Sequence, residues 1–232
     1  MKVLEHEIRA IASKHGANFV CFVDISPLAP EQNKHFPNAI LIGIALSRNY
    51  LLEISRTPDY VKTLVEANRM QEDEFHNKEI LADQIADTLA AYLKEQGYSA
   101  YSQSEANIIA TGFYNEKTKT TPLPHKTIAG LAGLGWIGKH NLLVTPEYGS
   151  ALCMCTVLTD APLPAHSQKP ISPQCGTCQL CRQICPVRAI QGKLWSEATT
   201  RDDLVDVYEC KTCLLCLVLC PWTQQYMNHE RT

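Results

Sequence analysis

Residues Cys175 to Pro186 read CGTCQLCRQICP, and residues Cys210 to Pro221 read CKTCLLCLVLCP. Cysteines stand at Cys175, Cys178, Cys181 and Cys185 in the first run and at Cys210, Cys213, Cys216 and Cys220 in the second. Each member of the second run lies 35 positions after its counterpart, so the segment is an internal repeat. Eight of the chain's 11 cysteines fall within it. A chain of 232 residues with 45% hydrophobic residues can bury a core without covalent staples, so crowding of this kind argues for metal rather than disulfides.

The spacing C-x2-C-x2-C-x3-C-P is that of bacterial ferredoxin modules carrying two [4Fe–4S] clusters. Three closely spaced thiolates hold one corner of a cubane, and the fourth cysteine of each run crosses to the other cluster. The first cluster is therefore expected on Cys175, Cys178, Cys181 and Cys220, and the second on Cys185, Cys210, Cys213 and Cys216. Tetrahedral zinc also suits paired CxxC elements. It gives no reason for the full CxxCxxCxxxCP run to occur twice. A segment of about 60 residues with little core of its own is expected to fold on its metal.

Upstream the pattern changes. The stretch DAPLPAHSQKPISP, residues 160–173, holds four prolines and marks a boundary. We expect an α+β domain, an α/β sandwich, over residues 1–165 and the ferredoxin-like module over residues 166–232. Leu4, Ile8 and Ile11 share a helical face before Gly16. Residues 18–23 and 151–158 read as strands, and Ala39 to Leu46 as a strand covered on both faces. Asn107 to Thr111 and Asn141 to Thr145 are further strand candidates. Thr57-Pro58-Asp59 is a helix start. Asn77 to Gln96 carries Leu81, Ile85, Leu89 and Tyr92 at helical spacing and stops at Gly97. The pattern does not fix strand order.

The N-terminal MKVLEHEIRA is charged where a signal peptide needs an apolar run, and no apolar stretch approaches the ~20 residues of a spanning helix. A cytoplasmic protein without a membrane partner is expected. The formal charge of −3 gives no overall cationic bias toward nucleic acid.

The first 160 residues must be explained by more than electron storage. Ile128 to Ser150 reads IAGLAGLGWIGKHNLLVTPEYGS. Gly133-x-Gly135-x-x-Gly138 formally matches a dinucleotide fingerprint, but no convincing strand precedes it and Trp136 would intrude on a phosphate. The glycines better suit close passage of the backbone past a flat or bulky group.

This segment, the Gly149-Ser150 pair, a Thr-Asp-x-x-Leu-Pro stretch and the double cysteine run together resemble the epoxyqueuosine reductase family. These are cobalamin-dependent iron–sulfur enzymes of tRNA modification, related to reductive dehalogenases. The likeness is strongest from Pro122 to Trp222, where Cys220-Pro221-Trp222 matches the last cluster ligand and the Pro-Trp after it. Glu74-Phe75-His76 matches loosely the family's Asp-Tyr-His, and Pro122 to Lys126 its Pro-x-x-Glu-Lys. The resemblance implies a nitroreductase-like cobalamin domain with base-off corrinoid. It implies a corrinoid lining of Gly135, Trp136, Gly138, Lys139, His140, Asn141, Leu143, Gly149, Ser150 and Met154.

Two departures stand out. Lys119 occupies the position of the family's proposed acid, an aspartate. The sequence also ends at Thr232, where full-length members continue into a helical-repeat domain thought to hold tRNA. The candidate proton donors are therefore Lys119, His125 and His140. His76 reads as an exposed residue at a helix start, Cys153 and Cys155 as small core residues on one strand face, and Cys21 as structural. Lys117, Lys119, Lys126 and Lys139 form a sparse basic group. The expected function is a reductase in which the clusters pass electrons to a corrinoid cobalt. The donor would be low-potential, such as ferredoxin or flavodoxin, and the substrate a small molecule or tRNA. The alternatives are electron transfer to a separate corrinoid protein, or a flavin-containing reductase on the same scaffold.

Overall fold

The computed structural model describes residues 2–57 and 59–228. In chain order the elements are α1 (Lys2–Lys14), β1 (Phe19–Asp24), α2 (Pro30–Asn33), β2 (Asn38–Ala45), α3 (Arg48–Arg56), α4 (Tyr60–Glu66), a 3-10 turn (Met70–Glu72), α5 (Glu74–Glu95) and β3 (Ala100–Ser102). They continue with α6 (Glu105–Ala110), α7 (His125–Leu131), β4 (Trp136–Ile137), β5 (Leu143–Val144), β6 (Leu152–Thr159), α8 (Leu180–Ile184), α9 (Leu215–Val218) and α10 (Pro221–Asn228). Contacts divide the chain into two units. One comprises residues 1–44, 78–133 and 153–169, the other residues 45–77, 134–152 and 170–232. The division drawn from sequence at residue 165 puts residues 45–77 and 134–152 with the first part; by contacts they group with the cysteine repeat.

The first unit is built on a four-stranded sheet of order β1-β2-β6-β3. β1 and β2 pair antiparallel with Cys21 opposite Leu41, and β3 and β6 with Tyr101 opposite Leu158. Strand side chains alternate between faces. Ile40, Ile42 and Ile44 join Val20, Phe22, Cys155 and Val157 in one core with Ile8 and Ala12 of α1 and Ile85, Leu89 and Leu93 of α5. The opposite-facing Ala39 and Leu41 are equally buried, as the unbroken apolar run AILIGIA of a central strand requires. The N-terminus of α5 is set by Asp73, whose Oδ1 accepts the His76 N–H at 2.8 Å, so the helix begins three residues earlier than its apolar pattern. His76 is thus half-buried in the first turn rather than exposed.

The segment expected as a strand at Asn107 to Thr111 is instead part of α6. Short apolar runs do not distinguish strand from helix, and carboxylates from α5 decide this one. Asp83 Oδ2 accepts the Glu105 N–H at 2.8 Å, and Asp87 Oδ1 accepts the Ser104 hydroxyl at 2.7 Å. Of Asn141 to Thr145, Leu143–Val144 is strand. Of the expected helix start at residues 57–59, Pro58 lies outside the described residues. Thr57 closes α3, and Asp59, at φ +54°, precedes α4.

In the second unit the repeat is visible as structure. α8 carries Cys181 and α9 carries Cys216; the two short helices start 35 residues apart and pack on each other. Their apolar core is small: Cys181, Ala189, Ile190 and Val205, with Val187, Val207, Cys185 and Cys216 against it. The rest of the unit is held more conventionally. Ser47 caps α3, Glu74 accepts both the Ser47 N–H and its hydroxyl, and Tyr50 donates to the buried Asp73 at 2.6 Å. Tyr226 of α10 donates to the Leu46 carbonyl at 2.9 Å. Among the described residues no helix is long and apolar enough to cross a membrane.

Candidate metal centre

β4 and β5 form a hairpin with Trp136 opposite Val144 and Ile137 opposite Leu143. Its turn is Gly138 to Leu142, closed by the Gly138 N–H to the Leu142 carbonyl at 2.9 Å, with Asn141 at φ +65°. That turn delivers Lys139 and His140 to a cavity of about 200 Å³. Gln174, Cys175, Cys178, Cys181, Cys220, Pro221 and Trp222 complete its wall. Three cysteines of the first run and the last cysteine of the second therefore line one cavity. The hairpin contribution was not legible in the cysteine pattern.

Each wall element has a local cause. Pro221 suits the first turn of α10, where its missing N–H costs nothing, and this leaves Cys220 at the helix start. Burial pushes the Cys220 thiol up, opposed by the backbone N–H groups of Trp222 and Thr223. Burial likewise drives Cys181 to about 11, with Cys175, Cys220 and Cys178 adding like-charge repulsion. Two cysteines of the other expected set are raised in the same way. Cys216 is pushed to about 12 by burial and then by Cys213, Cys210, Cys181 and Cys185, and Cys213 is raised by burial with Cys185 and Cys210 adding to it. Such thiols are costly to ionise singly, and a bound cation reverses that cost. Among the described residues no trio of His, Cys, Asp or Glu side chains converges on a single ion. The first four thiols surround a volume instead, a donor set that fits a multi-atom iron–sulfur cluster.

His140 is 5% exposed. Its Nδ1 accepts the Leu142 N–H at 3.2 Å, which places the ring proton on Nε2, and Nε2 then donates to Ser150 Oγ at 3.2 Å. Ser150 N–H in turn donates to Thr223 Oγ1 at 3.0 Å. Trp136 meets Trp222 edge to face, centroids 4.9 Å apart, and its buried indole N–H has no hydrogen-bond partner.

The glycines have an internal reason to be glycine. A Cβ on Gly135 would stand 1.9 Å from the Val144 carbonyl oxygen, and one on Gly138 2.7 Å from the His140 ring. Gly149 sits at φ +58° with its missing Cβ 2.3 Å from the Thr223 backbone nitrogen. Gly133 follows helix α7 and precedes β4, the reverse of the strand-to-helix order a dinucleotide loop needs. Of the ten residues expected to line a corrinoid, Gly135, Trp136, Gly138, Lys139, His140, Leu143, Gly149 and Ser150 are buried; Asn141 and Met154 are partly exposed. Met154 belongs to the sheet unit and the others to the second unit.

The other candidate proton donors lie in the sheet unit. Lys119 is exposed, at φ +51° in a turn bridged by Asn115 and Thr120. His125 is partly buried as a residue, but its ring is enclosed by protein. That desolvation pushes its pKa down to about 4, and Nδ1 lies 2.9 Å from Thr156 Oγ1. A ring that is neutral at pH 7 has no extra proton to give as a general acid. Cys153 and Cys155 are buried in β6, Cys155 in the sheet core, and Cys21 is half-buried with its thiol raised by burial.

No protein-family model matches the chain. Among curated proteins it is 39% identical to the epoxyqueuosine reductase of Yersinia pestis over 71 residues, 31% of this chain and 17% of that protein. It is 46% identical to that of Synechococcus sp. over 71 residues, 31% of this chain and 22% of that protein. The match thus spans about a fifth of these relatives' length. Among solved structures, an epoxyqueuosine reductase shares the fold at a TM-score of 0.58 and 16% identity, over 98% of this chain and 68% of that one. A catabolic reductive dehalogenase does so at 0.63 and 20%, over 93% and 31%. A reductive dehalogenase described with a mechanism for B12-dependent dehalogenation does so at 0.55 and 22%, over 78% and 24%.

Proposed function

Because the chain is related in sequence to the epoxyqueuosine reductases, we propose that it is an oxidoreductase of that type, an iron–sulfur protein working with a corrinoid. Cys175, Cys178, Cys181 and Cys220 would hold one [4Fe–4S] cluster, and Cys185, Cys210, Cys213 and Cys216 the other. The observation that carries the reading is the cavity lined by cysteines from both runs, Cys220 included. The like-charge repulsion that Cys185 and Cys210 exert on Cys213 and Cys216 supports the second set.

The chain's own contributions follow from the geometry. The eight thiolates would hold the clusters and more than balance the positive charge of their cores. Trp222 lines the cavity that would hold the first cluster, and buried Trp136 packs edge to face behind it. His140 keeps its ring proton on Nε2, hydrogen-bonded to Ser150 Oγ beside the cavity. Of the three candidate donors, His140 alone lines the cysteine cavity, and we favour it on that position. A bound corrinoid would supply a cobalt centre able to accept single electrons and reduce an organic substrate. Epoxyqueuosine in tRNA is the substrate class that the relatives' name suggests, and a ferredoxin or flavodoxin the electron donor.

Anaerobic iron and acid-labile sulfide analysis tests the core of this. Eight irons per chain are expected; four irons, or stoichiometric zinc, refute it. In EPR of the reduced protein, Cys220→Ser should alter the cluster that Cys175→Ser alters, and Cys185→Ser the other. Pairing of Cys220 with Cys210 instead removes the crossed arrangement.

A further inference from the structure

Lys139 is only 4% exposed, a rare state for a lysine. Its Nζ donates to the carbonyl oxygens of Gly176 at 2.9 Å and Cys178 at 2.8 Å. Both acceptors belong to the loop between the first two cysteines. They are neutral carbonyls, so they use two of the ammonium's three donors without cancelling its charge. The side chain also lines the cavity shared by Cys175, Cys178, Cys181 and Cys220. In the second run the lysine is Lys211, exposed to solvent, where water and salt screen it. The two halves of the repeat are therefore unequal in charge.

We infer that Lys139 is a positioning residue of the first cluster: it clamps the Cys175–Cys178 loop and raises the reduction potential of that cluster alone. The inference rests on the cluster reading above. One-electron reduction takes a [4Fe–4S] core with its four thiolates from a net charge of about −2 to about −3. No bond is made or broken and no proton moves; the electron comes from a low-potential reductant such as dithionite. A fixed, buried cation favours the more negative of the two states, because its charge is less screened than at the surface. Cluster potential responds to local charge and to hydrogen bonding of the binding loop, and Lys139 supplies the first and anchors the second. The glycine-rich turn thus has a use that its sequence pattern did not disclose. It carries a cation to a site 37 residues downstream.

The test uses the full chain reconstituted anaerobically, with Lys139→Met and Lys139→Arg beside it. Iron is counted first, and each cluster is then titrated with dithionite under EPR. In Lys139→Met one midpoint should fall, so that at its wild-type value the reduced-to-oxidised ratio is about tenfold lower, roughly 59 mV for one electron. The other midpoint should stay, and Lys139→Arg should restore the first. Unmoved midpoints in Lys139→Met, or equal shifts in both clusters, overturn the inference. If Lys139→Met loses iron, Lys139→Arg decides: full iron and wild-type midpoints support the clamp, and loss of iron overturns it. A wild-type chain that takes up no iron refutes the cluster reading itself, before either variant is measured.

Discussion

His125 is expected to make the protein acid-sensitive in a defined window. Burial holds its pKa near 4 in the folded state, against 6.5 for the ordinary imidazole. Between those values the unfolded chain binds a proton that the folded chain refuses. Stability is therefore full above pH 6.5 and lost as the pH falls toward 4. At pH 5 the ratio of the two proton-binding factors is roughly 30, which costs the folded state about 2 kcal/mol relative to pH 7.5. His125→Asn keeps a hydrogen-bonding atom near Thr156 Oγ1 and removes the titration. The assay is urea unfolding of the anaerobic protein at pH 7.5, 6.0 and 5.0, followed by circular dichroism. A constant offset between wild type and variant reports lost packing and is set aside. The offset should shrink by about 2 kcal/mol from pH 7.5 to pH 5.0. Parallel curves would show that the ring takes a proton freely in the folded state, and His125 would regain standing as a proton donor.

Gly149→Ala should cost about 2–4 kcal/mol, from left-handed backbone strain and from a Cβ driven against the rigid main chain at Thr223. Because that main chain begins the helix bearing Cys220, iron content should fall with it; wild-type urea midpoints and full iron would refute the packing argument. Cob(II)alamin added to the iron-loaded chain should bind with its lower axial base displaced, read in EPR as loss of the nitrogen superhyperfine splitting. A base-on signal, or no protein-bound cobalt, removes the corrinoid from the proposal.

What the sequence alone determined is what short-range spacing controls. The C-x2-C-x2-C-x3-C-P runs keep the first three thiols of each run within reach of one another, and the proposed ligand sets start from that spacing. The 35-residue repeat predicts two alike halves, realised as α8 and α9. The unbroken apolar run of β2 predicts a strand covered on both faces, and β2 is central in the sheet. The tertiary structure decided everything that depends on distant partners. Residues 107–111 became helical because Asp83 and Asp87 on another helix take up polar hydrogens at its start, which no local pattern of NIIAT contains. The sequence pattern suggests that Gly135 and Gly138 leave room beside a flat or bulky group; in the structure, backbone and side chains of their own unit stand where a Cβ would go. Lys139 was read as one of a loose basic group, yet it is buried with its charge against the cysteine loop. Spacing along the chain keeps neighbouring thiols of a run within reach of one another; the cation that stands beside them depends on contacts made only when the hairpin folds back.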